Sequence, residues 1–131
     1  YFRSMQNFMK DGAHSTLQII TIADELFPDY RKRVDFIQKY IFPGGMLPSM
    51  KALDKQISSV GLQKIDTKYF GASYSKTLRL WHERFNSVWG EIASGKFDSR
   101  FKRMWNFYLA SCAAVFQSET GDVVQVTLKR T

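Results

Sequence analysis

A chain of 131 residues with 44% hydrophobic and 15% aromatic side chains has enough apolar surface to bury one core, which excludes a disordered chain. Lys and Arg (19) exceed Asp and Glu (12), and the net charge of +7 favours a polyanionic partner, either nucleic acid or an anionic lipid surface. The one cysteine, Cys112, excludes an internal disulfide and fits a packed thiol in a reducing compartment.

The opening stretch YFRSMQNFMKDG carries Phe2, Met5 and Met9 at helical spacing and stops at Asp11-Gly12, so the chain starts inside or just before a helix, as a piece of a longer polypeptide does. Ser15 to Ile22, STLQIITI, is apolar on both alternating faces and predicts a central strand covered on both sides. Tyr30, Val34, Ile37 and Ile41 then recur at helical spacing and lead into YIFPGGMLPS, Tyr40 to Ser49. Proline fixes φ and glycine permits positive φ, so this is a rigid corner, and it carries Phe42, Met46 and Leu47. Such a corner either caps a core or walls an apolar ligand.

Ser49 is a good N-cap for a helix with Met50, Leu53, Ile57 and Val60 on one face and Gly61 as its stop. Leu62 to Phe70 tolerates a strand but alternates poorly. Two amphipathic helices follow. Tyr74, Leu78, Trp81, Phe85, Trp89 and Ile92 stripe the first, which Gly95 ends, and Phe101, Trp105, Tyr108, Cys112 and Val115 stripe the second. Last, Val124, Val126 and Leu128 alternate with Gln125, Thr127 and Lys129, the pattern of a half-covered or edge strand. The order predicts an α/β layer structure on a short sheet, one domain over residues 1–131.

Several chemistries are absent. His14 and His82 lack partners at metal-ligand spacing, and Gly44-Gly45 follows a helix, not a strand, so neither a zinc site nor a phosphate loop is indicated. No Ser or Cys nucleophile has a partner base. Arg31-Lys32-Arg33 reads as a solvated face, and no strand interleaves aromatic with basic residues as nucleic-acid binders do. The longest uncharged run, Met104 to Ser118, falls short of the roughly 20 apolar residues of a span, and no signal peptide opens the chain. The expected location is cytoplasmic, with contact to a membrane surface.

Four blocks, KYIFPGGMLPS, YSKTLRLWHERF, FKRMWNFYLASCAAVF and VVQVTLKR, resemble the C-terminal part of cyclopropane-fatty-acyl-phospholipid synthases and mycolic acid cyclopropane synthases, in the family's own order. The resemblance implies the C-terminal portion of a class I, Rossmann-like S-adenosylmethionine-dependent methyltransferase fold. Ser15–Ile22 then looks like the fifth strand, Leu62–Phe70 the sixth, and Val123–Arg130 the seventh, inserted antiparallel between them. The cofactor-binding strands would lie upstream of Tyr1, leaving the fifth strand an open edge prone to self-association or strand exchange. The isolated fragment is then expected to be inactive.

The implied reaction methylates the double bond of an unsaturated acyl chain with S-adenosylmethionine and closes a cyclopropane by proton loss to bound bicarbonate. Tyr74 falls where the family has a bicarbonate-holding tyrosine; packing on the core is the competing role. Gln18 stands where many members have a bicarbonate-binding histidine, and Ile20 where a residue contributes backbone. Glutamine retains an N–H donor but does not titrate near neutral pH. The family's acyl channel maps onto Val34, Phe42, Leu47, Leu78, Tyr108 and Cys112, each of which core packing explains equally well. The basic excess then suits anionic phospholipid. A standalone lipid-binding module without catalysis is the alternative, and a nucleic-acid binder the weakest reading.

Overall fold

The structure, a computed structural model, describes residues 1–93 and 96–131. Gly95, expected to end a helix, lies outside the described residues. In chain order the elements are α1 (Phe2–Phe8), β1 (His14–Ile22), α2 (Phe27–Tyr30), α3 (Phe36–Tyr40), α4 (Met50–Ser58), β2 (Leu62–Tyr69), α5 (Gly71–Ser87), α6 (Trp89–Ile92), α7 (Ser99–Gln117) and β3 (Gly121–Arg130).

Among the described residues the strands form one sheet of order β1-β3-β2, with β3 antiparallel to both neighbours. This is the insertion the family resemblance implies, and it corrects two readings made from residue pattern. The last strand is the centre of the sheet, with Val123, Val124, Val126 and Leu128 fully buried, not an edge. The first strand is paired on one side only, and its His14, Thr16, Gln18 and Ile20 face is exposed. Its double-sided apolar pattern is therefore half used, because the described elements cover just the Leu17 and Ile19 side.

On that side Val124, Val126 and Leu128 pack with Leu53, Ile57 and Leu62, against Phe2, Met5 and Met9 of the α1 region. α4 begins as its sequence predicts: the Ser49 hydroxyl accepts from Ala52 N, and Asp24 Oδ1 accepts from Lys51 N at 2.9 Å. That backbone bond holds the Asp24 carboxyl below its ordinary range. Gly61, at φ +74°, ends the helix turn in a conformation that favours glycine. Arg130 Nη1 donates to Gln6 O and Met9 O, giving the last carbonyls of α1 a cationic partner.

On the opposite side Val123 packs with Leu78, Leu109, Ala113 and Phe116 from α5 and α7. Two bonds join the start of α5 to β3: Phe70 N donates to Val123 O at 2.8 Å and Gly71 N to Asp122 Oδ1 at 2.7 Å; within β3 the same carboxylate oxygen also accepts from Val123 N. Ser75 Oγ donates to Ala113 O, and Asn86 and Asn106 exchange side-chain bonds, which ties α5 to α7 along their length.

Other expectations need correction. The predicted helix through Tyr30, Val34, Ile37 and Ile41 is two short helices, because Asp35 and Gln38 form a capping box that starts α3 afresh and leaves Val34 outside both. The first amphipathic helix breaks at Val88 into α5 and α6, and Trp81, 57% exposed, points away from the buried stripe, as does Val115. The poor alternation of Leu62–Tyr69 is a bulge between Lys64 and Asp66, where Ile65 is the extra residue.

A Cβ at Gly71 would lie 2.7 Å from Asp122 Oδ1, whereas one at Gly90 would meet nothing within 4 Å. Gly71→Ala is expected to lower the unfolding free energy by about 1–3 kcal/mol. Gly90→Ala should change it by less than about 1 kcal/mol, in the stabilising direction. Urea midpoints of the two variants check the contrast.

Candidate active site

The antiparallel register sets Gln18 directly opposite Gln125, with Thr16 opposite Thr127 and Ile20 opposite Val123. Paired residues point to one face of the sheet, so these six form two columns. The join between β3 and α5 described above fixes the first turn of α5 over this face and brings Tyr74 to it. Gln18 Nε2 donates to the Tyr74 hydroxyl at 2.7 Å, across 56 positions of sequence, and Gln125 Nε2 donates to Gln18 Oε1 at 3.2 Å. Tyr74 also packs its ring edge on Phe116 at 5.7 Å, so its core contact and its polar contact coexist. Ile20, one step along the same face, is exposed. The structure thus brings Tyr74, Gln18 and Ile20 to one end of one sheet face.

Residues 23–49 leave the end of β1 and return to it. Ile22 N donates to Pro48 O at 3.0 Å, and the Asp24 bond to Lys51 closes the base a second time. Inside this excursion Leu47 N donates to the Tyr30 hydroxyl and Gln38 Nε2 to Gly45 O, which hold the proline-glycine corner against α2 and α3. The positive φ of Gly44 and the Gly45 N to Phe42 O bond supply the turn. The excursion then rests on α7: Phe36 meets Phe107 edge-on at 4.8 Å, and Phe42 meets Tyr108 at 6.3 Å.

Of the six predicted channel positions, Leu78, Tyr108 and Cys112 share one cluster, and Phe42 joins it through the Tyr108 ring. Leu78 is a buried core residue. Val34 is 73% exposed in the link between α2 and α3, and Leu47 is held by its backbone on Tyr30. An open hollow of about 910 Å³ runs along the other flank of α5, past Ser75, Arg79, Phe116 and Asp122, and none of the nine predicted site residues lines it. Hydrogen-bonding side chains converge on the Gln18–Tyr74 face, whereas groups of mixed charge line that hollow.

Residues that sequence reasoning passed over include Gln125, Asp35 and Phe107. The outward position of Gln125 was readable from strand alternation, but its partner was not. Asp35 was signalled by its Gln38 three residues on. Among the described residues no cluster of three His, Cys, Asp or Glu side chains is arranged to hold a metal ion.

Burial pushes the Cys112 thiol up to about 11, with the Asp35 carboxylate adding a smaller repulsion, and burial followed by Cys112 raises Tyr108. The folded state therefore holds the Cys112 proton above the pH at which the unfolded thiol, near 9, releases it. Stability should fall as pH rises from about 9 to about 11, and Cys112→Ala should lack that part of the fall. Iodoacetamide labelling at pH 8 should be on the order of a hundredfold slower in native than in unfolded chain. Equal rates would contradict this burial.

The family profile described as Mycolic acid cyclopropane synthetase matches residues 1–126. Tuberculostearic acid methyltransferase UfaA1 of Mycobacterium tuberculosis is 40% identical over 131 residues, which span 99% of this chain and 31% of that protein. Cyclopropane-fatty-acyl-phospholipid synthase of Escherichia coli K12 is 42% identical over 95 residues, 72% of this chain and 24% of that protein. Among solved structures, the cyclopropane synthase MmaA2 from Mycobacterium tuberculosis superposes with a TM-score of 0.83 at 23% identity, over 98% of this chain and 48% of that one. The mycolic acid cyclopropane synthase CmaA1, solved with SAH and CTAB, gives 0.83 at 24% identity, over 98% and 50%. The chain thus spans about a third or less of these curated relatives and about half of these solved structures. Its fold is part of the fold of these cyclopropane synthases. The chain belongs to the mycolic acid cyclopropane synthetase family.

Proposed function

We propose that this chain is the acyl-facing and anion-holding part of an S-adenosylmethionine-dependent cyclopropane-fatty-acyl-phospholipid synthase, and that it is inactive by itself. The observation that carries the reading is the 2.7 Å bond from Gln18 to Tyr74, which joins a strand and a helix into one donor group beside an apolar cluster. S-adenosylmethionine, when bound, would supply the electrophilic methyl group.

Two polar tasks fall to the residues present. The Tyr74 hydroxyl accepts from Gln18, so its own proton is available to an oxyanion; the second N–H of Gln18 is another donor, and exposed Ile20 stands one step along the same strand face. This donor set fits bicarbonate, a planar oxyanion able to take the proton lost when the ring closes. Gln18 orients such an anion without competing for that proton.

The apolar task is to carry the lipid tail and tolerate positive charge on it. Tyr108 and Cys112 pack on the cluster of buried Leu78, Phe42 meets Tyr108, and Phe36 meets Phe107 one residue away on α7. Ring faces attract a cation without attacking it. Val34, Tyr40, Phe42 and Met46 project from the 23–49 excursion with exposures between 53% and 73%, beside exposed Arg31, Lys32, Arg33 and Lys39. Apolar tips among cations are the composition that an anionic phospholipid surface attracts, at roughly 1 kcal/mol per nearby Lys or Arg. Among the described residues no helix is long and apolar enough to cross a membrane.

The test is a chimera in which this chain replaces its 131-residue counterpart in the tuberculostearic acid methyltransferase of Mycobacterium tuberculosis. It should transfer label from S-adenosylmethionine to unsaturated phospholipid, and Tyr74→Phe should lower the rate about 10²–10⁴-fold at unchanged cofactor affinity. A folded, cofactor-binding chimera indifferent to Tyr74→Phe contradicts the proposal.

A further inference from the structure

We infer that Gln125 is a positioning residue, fixing which end of the Gln18 amide faces Tyr74 and so keeping the Tyr74 proton free for an anion. The inference rests on the anion-site reading above and adds a residue to it.

A glutamine amide has an acceptor end and a donor end of nearly equal size, so Gln18 alone can present either to a phenol. The choice matters for Tyr74. If Gln18 Oε1 faced it, the single phenolic proton would be spent on Gln18 and nothing would remain to donate. With Gln18 Nε2 facing it, the phenol oxygen accepts and its O–H points onward. What selects the second arrangement is the group at the other end of the amide. Gln125 Nε2 stands 3.2 Å from Gln18 Oε1 and donates to it.

The fold fixes this donor geometrically. Gln125 is the register partner of Gln18 on the central strand, and Thr127 and Thr16, one step along the same face, bond through their hydroxyls at 3.0 Å and hold that register. On the other side of β3 the partner of Gln125 is Lys68. A cation at that position favours the Gln125 orientation that turns its carbonyl toward β2 and its NH₂ toward β1. Donors then run in one direction, from Gln125 to Gln18 to Tyr74, and each bond polarises the next.

The direct test uses the chain itself with labelled Gln side-chain amides and Tyr rings. In the native sequence a nuclear Overhauser effect should connect the Gln18 NH₂ protons with the Tyr74 ring. In Gln125→Glu the new carboxylate, ionised at neutral pH with an ordinary value of about 4.3, only accepts. It should draw the Gln18 NH₂ to itself, and the effect to Tyr74 should vanish. Gln125→Leu, which removes the orienting group and keeps an apolar strand side chain, should reduce the effect to an average of both orientations and serves if the glutamate variant fails to fold. Bicarbonate titration, followed on the Tyr74 ring signals, should weaken about tenfold in Gln125→Glu, with Tyr74→Phe as the control for loss of the phenolic donor.

An unchanged Gln18–Tyr74 effect in both variants overturns the inference and leaves the anion reading standing. A lost effect with unchanged bicarbonate affinity also overturns it, because the orientation then does not matter. If the native chain binds no bicarbonate while the amide still switches with residue 125, the anion reading fails and the positioning role survives.

Discussion

The backbone ladders that join β3 to β1 on one side and to β2 on the other set the positions of the remaining elements. A strand inserted between two others is paired along both of its edges, and its Val123, Val124, Val126 and Leu128 are withdrawn completely from solvent. Alternation then sends Val124, Val126 and Leu128 toward α1 and α4, and Val123 toward α5 and α7. Because a slip of one residue would exchange these faces, the apolar pattern itself enforces the register. The register in turn sets Gln125 beside Gln18, and Asp122 beside the first residue of α5.

Two structures on the functional side depend on that arrangement. α5 is anchored at its first turn by Asp122 and Val123, so backbone bonds place Tyr74, and its side chain adds the bond from Gln18 and the contact with Phe116. The 23–49 excursion is closed at its base by Ile22 to Pro48 and by Asp24 to Lys51, and within those limits it carries an apolar corner to Tyr108 on α7. The polar groups of the Gln18–Tyr74 face and the apolar groups of the corner thereby come from different elements that share one support. Turns are ordinarily polar; this one keeps Phe42 because an aromatic neighbour stands against it.

Much of this was legible in the residues, in proportion to how local each signal is. Ser49 and Gly61 bound α4 because capping is decided within a few residues. The Asp35–Gln38 box that splits the predicted helix was equally local, but the recurring apolar positions masked it. Trp81 illustrates the opposite limit: periodicity gives it the right spacing for the stripe, yet it stands 57% exposed outside the packed cluster. The central place of β3 was illegible from alternation, since a half-polar strand reads as an edge, and only the family resemblance put it in the middle. Gln125 was visible as an outward residue, whereas its partnership with Gln18 depends on a pairing 107 positions apart. Long-range register is the information that one strand's pattern does not contain.

The central claim is that the proline-glycine corner and the facing turn of α7 form the wall along which an unsaturated acyl chain lies. The most direct measurement is photolabelling of the chain on anionic vesicles whose phospholipids carry a diazirine beside the acyl double bond, with the labelled peptides mapped by mass spectrometry. Labels concentrated at Phe42, Tyr108 and Cys112, and lost when the vesicle lipid is saturated and uncharged, are the predicted result. Labels confined to the outer flank of α5 or to α1, with the corner untouched, would contradict the account.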